Sequence, residues 1–253
     1  MKTVIRHLLS RFGYSISRLE RNANIPIDCE HYSELLKVIL ERKLTMVSPE
    51  RLAATALACE YVIRESIPGD FVECGVWRGG NSILANEVFR KLNAVDRNVW
   101  LFDTFSGMSE PSERDRRVNS KVLAFEQFTQ QRSEKGGSEW CRSEIDEVRS
   151  NFRMFNSDLE RVKFVSGDVN KTLKDKKYIP KQISILRLDT DWYESTRIEL
   201  ETLYPRLSIG GVLIIDDYGH WDGARKAVDE FFSDKKRPLF SITDYTGRMG
   251  IKL

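Results

Sequence analysis

Apolar positions along the chain follow two periods. Over 30–44 and 49–66 they recur every three or four residues, as on one face of a helix. The second run opens with "SPE", an N-cap serine with proline at the first helical position. Short, nearly unbroken apolar runs then alternate with further helical patterns. "GDFVECG" reads as a strand ending in Glu73, with a helix from about Asn81, and "RNVWLFD" as a second strand ending in Asp103. "RVKFVSGD" is a third, ending near Asp168. "QISILRLD" is a fourth, followed by a helix over 194–206, and "GGVLIIDD" a fifth, followed by a helix from 222 to about 233. The tail "PLFSITDYTGRMGIKL" reads as two strands joined by a turn at 245–247. This order predicts an α/β fold of seven strands, five parallel plus a C-terminal antiparallel hairpin, with helices on both faces. Residues 1–44 are expected as a helical extension outside that core and 45–253 as the main domain.

In such sheets ligands bind outside the carboxyl ends of the strands, and acids fall there: Glu73, Asp103, Asp168, Asp189, Asp216 and Asp217. The stretch "RLDTDWYE" at 187–194 sets Asp189 and Asp191 two apart, on one side of an extended strand. Like charges so placed raise each other's pKa unless a cation or a shared proton relieves them. A solvated strand end or a helix cap is the plain alternative, as a cap or turn is for "DDYG". With Asp216 and Asp217 ending the neighbouring strand, however, Asp189, Asp216 and Asp217 can converge on one hard cation with oxygen ligands, such as Mg²⁺.

"ECGVWRGGNS" puts Gly75, Gly79 and Gly80 directly after the first strand, where a backbone without side chains can approach a ligand at a helix start. The spacing is not GxGxxG, so the dinucleotide fingerprint fails. Asp103, ending the second strand, can accept from both hydroxyls of a ribose. An adenosine-containing ligand without a pyrophosphate fits both features, and S-adenosylmethionine is the obvious one.

Composition narrows the partners. A net charge of +2 over 253 residues gives no reason to expect nucleic acid as the target. Cys29, Cys59, Cys74 and Cys141 have no CxxC spacing and read as reduced thiols of a cytoplasmic protein. No apolar run reaches transmembrane length. Near the N-terminus Ile5, Leu8, Leu9, Phe12, Ile16 and Leu19 keep helical spacing among five basic residues. That pattern suits packing on the chain's own domain or a second subunit, or else an anionic membrane surface. A homo-oligomer, dimer or higher, is expected. The long, charged region 106–160 interrupts a βα connection. It is either a cap over the site, with Gly136 and Gly137 as a flexible point, or in part disordered.

Four blocks carry a family resemblance: "IPGDFVECGVWRGGNSIL", "VWLFDTFSGM", "LRLDTDWYESTRIELETLYPRLSIGGVLIIDDYG" and "GARKAVDEFF", in order across most of 45–232. Together they resemble the macrocin O-methyltransferase family, S-adenosylmethionine- and Mg²⁺-dependent enzymes that methylate hydroxyls on sugars of antibiotics and related glycosides. The resemblance implies a Rossmann-like class I methyltransferase sheet and an acceptor that is a sugar-containing small molecule or a glycan. It implies Asp189, Asp216 and Asp217 as metal ligands and Asp191 as general base. It further implies a cofactor site built from the 73–82 loop (Glu73, Gly75, Val76, Trp77, Gly79, Gly80, Ser82) with Asp103 and Asp189. Thr45, Met46 and Ser48 would close over the cofactor, and Gly167 and Asp168 would lie at the adenine. Asp168 departs from the family, where an aromatic follows that glycine, and so does the charged insertion around 110–147; both put the substrate in question more than the reaction.

Other residues stay open. His220 is a candidate for proton transfer or acceptor binding, with a surface role as the plainer reading. His7 and His31 read as structural. Trp192, Tyr193, Tyr218 and Trp221 could stack on a sugar or pack the core. Three other functions stay open as alternatives, and each meets an objection: a metal-dependent glycosyltransferase with an Asp-x-Asp motif would not place that motif after a glycine loop on this sheet. A phosphatase would need it on the first strand. A non-catalytic module would not need all four carboxylates.

Overall fold

The computed structural model describes residues 25–94, 96–118, 120, 123–133 and 137–253. The amphipathic pattern expected near the N-terminus, His7 and Gly136 lie outside them. A 3-10 turn, Ile27–Tyr32, leads into α1 (Ser33–Glu41) and then α2 (Pro49–Arg64). The Ser48 side chain accepts the Arg51 N–H and Pro49 takes the first position, so "SPE" starts the helix as its chemistry requires. Then follow β1 (Asp70–Cys74), α3 (Gly80–Lys91), β2 (Val99–Asp103), α4 (Ala124–Gln130), α5 (Ile145–Arg153) and β3 (Val162–Ser166). The second half runs α6 (Val169–Thr172), β4 (Ile183–Leu188), α7 (Tyr193–Leu203), β5 (Leu207–Ile215), α8 (Asp222–Phe231), β6 (Ser241–Ile242) and β7 (Arg248–Ile251).

The seven strands make one sheet in the order β3-β2-β1-β4-β5-β7-β6. β1 to β5 pair in parallel, and β7 runs antiparallel to both β5 and β6. The expected mixed sheet is therefore present. Strand order reverses between β1 and β4, which opens a crevice at their carboxyl ends. Alternation along each strand sorts side chains into two layers. Phe71, Ile185, Val212 and Ile214 face α1, α2, α3 and α5, whereas Val72, Cys74, Leu186, Leu188, Leu213 and Ile215 face α7 and α8. Glu73 and Arg187, opposite each other in the β1–β4 ladder, share the first layer.

Two boundaries differ from expectation. Residues 29–44 are not outside the core, since Cys29, Tyr32, Leu36, Ile39 and Leu44 are buried in the cluster that covers the first face. The Leu44 carbonyl accepts the Gly80 N–H at 2.9 Å, and without α1 the apolar flanks of α2 and α3 would face water. β5 begins at Leu207, ahead of the expected "GGVLII" run, because a bulge with Gly210 at φ 79° shifts its register against β4.

The described part of 106–160 is folded onto the sheet edge. Trp140 packs on Trp192 and Trp221 with ring centroids 5.6 and 6.0 Å away. The Trp192 indole donates to the Ser109 carbonyl at 2.9 Å. Asp115, fully buried, accepts from the Ser112 N–H and hydroxyl and from the Tyr193 N–H. Gly137 is tied in by the Ser133 N–H on its carbonyl.

Candidate active site

β1 delivers the chain into the glycine loop, and Asp103 at the end of β2 organises it. One carboxylate oxygen accepts the N–H groups of Val76 and Trp77 at 2.6 and 3.1 Å, and the other accepts that of Phe105 at 2.7 Å. Burial raises the Asp103 pKa, and these N–H groups work against it. The expected ribose partner thus spends most of its acceptor capacity on the loop itself, although it still lines the cavity described below. The glycines answer to chain crossings. A Cβ on Gly75 would stand 2.0 Å from the Asp189 carbonyl oxygen, and one on Gly80 would stand 2.7 Å from that of Leu44. Gly79, at φ 91°, faces Val148 and Phe152 of α5. Gly75 also lines the first cavity, where the sequence places a ligand.

The carboxylates also converge differently from the alternation argument. β4 stops at Leu188, and the Asp189 N–H makes one more bond to β1, on the Cys74 carbonyl at 2.8 Å. The chain then turns, with Asp191 at φ 69° and the Trp192 N–H on the Thr190 carbonyl. This strained left-handed residue brings Asp191 beside Asp189 and Asp217, and oxygens of the three lie within 4.8 Å of one another. Asp216, expected in that group, lines the second cavity beside the three but is not one of them. Both its oxygens are taken by guanidinium groups, of Arg51 and Arg187.

Five buried or largely buried carboxylates (Glu73, Asp189, Asp191, Asp216, Asp217) therefore face two guanidinium groups. Burial pushes Asp191 up to about 7, against hydrogen bonds from Asp217 and the Trp221 indole. Burial also pushes Glu73 up to about 7, although Arg187 and the Ser82 hydroxyl hold it down. Burial raises Asp189 and Asp217 well above the usual carboxylate range, with the charges of Asp216 and Asp217 adding to the first and those of Asp191 and Asp216 to the second. Asp217 Oδ2 is buried without a hydrogen-bond partner. An uncompensated oxygen amid repelling acids fits a divalent cation with oxygen ligands.

Two cavities meet at this cluster. The first is lined by Gly75, Trp77, Asp103, Gly167 and Asp168 together with Cys141 of the insertion. Asp168 caps α6 through the Asn170 N–H at 2.8 Å. The second is lined by Thr45, Val76, Trp140, Asp217, His220 and Trp221 among others. Met46, Trp77, Asp189 and Asp191 belong to both. The His220 ring, 3.4 Å from the Tyr245 hydroxyl, has its pKa lowered by burial and by Arg117.

Other expected residues stand behind the walls. Ser48 donates to Asp244 Oδ2 at 2.9 Å, and Ser82 donates to Glu73, which itself reaches the second cavity. Gly79 and Gly80 line neither cavity. Of the aromatics flanking the acids, Trp221 lines the second cavity, while the Tyr193 and Tyr218 hydroxyls are tied to Glu230 and Asp229 of α8. Sequence reading missed Arg51, Arg117, Gln127, Trp140 and Tyr245 on the second cavity, and Arg187 beneath it. Only Arg187 left a local signal, a charge inside the apolar run "ISILRL".

Known proteins align with this architecture. The family described as Macrocin-O-methyltransferase (TylF) matches residues 40–248. Demethyldecarbamoylnovobiocin O-methyltransferase of Streptomyces niveus is 36% identical over 200 residues, 79% of this chain and 70% of its own. Mycinamicin III 3''-O-methyltransferase of Micromonospora griseorubida is 30% identical over 187 residues, 74% of this chain and 69% of its own. The solved O-methyltransferase NovP superposes with a TM-score of 0.72 at 32% identity, covering 82% of this chain and 81% of that one. The fold extends to the calicheamicin methyltransferase CalS11, with a TM-score of 0.55 at 17% identity over 94% of this chain and 99% of that one. S-adenosylmethionine is the methyl donor such membership implies. The chain belongs to the macrocin O-methyltransferase family and is an O-methyltransferase.

Proposed function

We propose that the enzyme methylates a hydroxyl on the sugar of a glycoside, with the methyl donor in the first cavity, the sugar in the second and a divalent cation, Mg²⁺, at the acids between them. The observation that carries this reading is the cluster of Asp189, Asp191 and Asp217, the first two on the wall common to both cavities and the third on the second cavity, with one Asp217 oxygen uncompensated. The similar proteins support the acceptor class: one is named for the 4'-O-methylation of a rhamnosyl tetracenomycin and another for mycinamicin III.

Asp189 and Asp217 would hold the cation. When bound, such an ion polarises a hydroxyl and offsets negative charge developing on its oxygen. Asp191 takes the proton from the acceptor hydroxyl as the methyl transfers, from its place on the wall that both cavities share. Trp221 and Trp140 present aromatic surface to the sugar, and Arg117 and Gln127 hydrogen-bonding groups. Asp103 and the glycine loop shape the donor end, with Gly167 and Asp168 at the adenine side.

A homo-oligomer and a cytoplasmic setting belong to the same proposal. The setting draws its support from free thiols at Cys29, Cys59, Cys74 and Cys141. The test is transfer of a labelled methyl group from S-adenosylmethionine to a panel of rhamnosyl and other deoxysugar glycosides, with Mg²⁺ or with chelator. Transfer to a sugar hydroxyl that chelator abolishes is expected. Chelator-resistant transfer would remove the cation, and transfer only to phenols would remove the sugar.

A further inference from the structure

Arg187 sits inside the sheet with 1% of its side chain exposed. A guanidinium in that position is costly unless its donors are matched by good acceptors. Here they are. Nη1 donates to Glu73 Oε1 at 2.8 Å and to Asp189 Oδ2 at 2.6 Å, and Nη2 donates to Asp216 Oδ1. These carboxylates stand at the ends of β1, β4 and β5, three neighbours in the sheet with Arg187 on the middle one. The far oxygen of Glu73 takes the Ser82 hydroxyl in the first turn of α3, and the far oxygen of Asp216 takes Arg51 of α2. One planar group is thus the common partner of the glycine-loop helix and of both strands that present the acid cluster.

The geometry points to Arg187 as a positioning residue for the proposed cation site. Its fork fixes the Asp189 carboxylate through one oxygen and the neighbouring Asp216 through another, on the wall where Asp189, Asp191 and Asp217 converge. Without the fork, Asp189 and Asp216 would repel each other across adjacent strands. A lysine would bring the same charge but a single nitrogen on a flexible stem, unable to span three acceptors. This inference rests on the cation reading above.

Calorimetric titration of Mg²⁺ into wild-type enzyme and the Arg187→Lys variant tests it, with S-adenosylhomocysteine binding and circular dichroism as controls for folding. Removing a group that orients a metal ligand weakens metal affinity by about 10–100-fold. That loss is expected for Arg187→Lys, with kcat recovering at high Mg²⁺, a split that general destabilisation would not produce. A folded Arg187→Lys variant with wild-type Mg²⁺ affinity overturns the inference and leaves the cation reading intact. Wild-type enzyme that binds no Mg²⁺ overturns both. Should the variant not fold, the wild-type protein answers by itself through its ¹⁵N-labelled arginine side chains. Mg²⁺ should shift the slowly exchanging Nη signals of Arg187, and signals that do not move overturn the inference.

Discussion

Asp115 Oδ1, in the insertion, accepts the N–H of Tyr193 at the start of α7 at 2.8 Å. The same oxygen would stand 2.0 Å from a Cβ on Gly223 at the start of α8. One buried carboxylate from a chain excursion therefore supplies the cap that α7 lacks from its own Trp192, only two residues beyond Asp191.

Asp115→Ala should cost about 1.5–3 kcal/mol, the range for a hydrogen bond to a charged group. A thermal melt reads the loss. Gly223→Ala should show a comparable drop from the other side of the contact, and wild-type melting of both variants would show that the insertion is not anchored here.

Asp191→Asn should lower kcat by about 10²–10⁴-fold, the contribution of a general base. Its Mg²⁺ affinity should change less than that of Asp217→Asn, whose activity should return in part at high Mg²⁺. If added metal rescues Asp191→Asn as well, Asp191 is a ligand, and His220 becomes the base to test.

Asp103→Ala removes the acceptor for three loop N–H groups. Cofactor affinity should fall about ten- to a hundredfold, and the melting temperature should fall with it. Loss of affinity with an unchanged melt would mean that the carboxylate serves the ribose alone.

Stability should depend on pH through the raised acids. Asp191 and Glu73 titrate near 7 in the folded chain, against about 4 when unfolded. Between these values the folded state binds more protons, so their contribution is complete below pH 4 and is lost as pH rises through 7. Melting of the metal-free enzyme should therefore drop from pH 6 to pH 8, with Mg²⁺ raising it more at pH 8. An equal effect of Mg²⁺ at both pH values would argue against a cation at these acids.

Much of this was legible because buried parallel strands announce themselves as unbroken apolar runs. "DFVEC", "VWLFD" and "ISILRL" gave the sheet, and the acids ending them gave its binding edge. What stayed hidden depended on direction after a strand ends. Asp191 joins the cluster through a left-handed turn, and Asp216 pairs with Arg51, 165 residues away. Trp140, Arg117 and Tyr245 reach the second cavity from segments without periodicity, and only tertiary packing decides which way they face.

The hairpin turn at the C-terminus has a consequence for how the site is made. Thr246 donates its hydroxyl to the Asp216 carbonyl at 2.7 Å, and the carbonyl of Thr246 takes the Gly219 N–H at 2.8 Å. Asp244 accepts from Ser48, 196 residues earlier in the chain. A nascent chain can lay down β1 to β5 and close its glycine loop while Asp216 and Asp217 still lack their outer support. A chain cut before Asp244 would lose β7 as well, leaving β5 as an unpaired edge and the Asp216 carbonyl without the Thr246 hydroxyl.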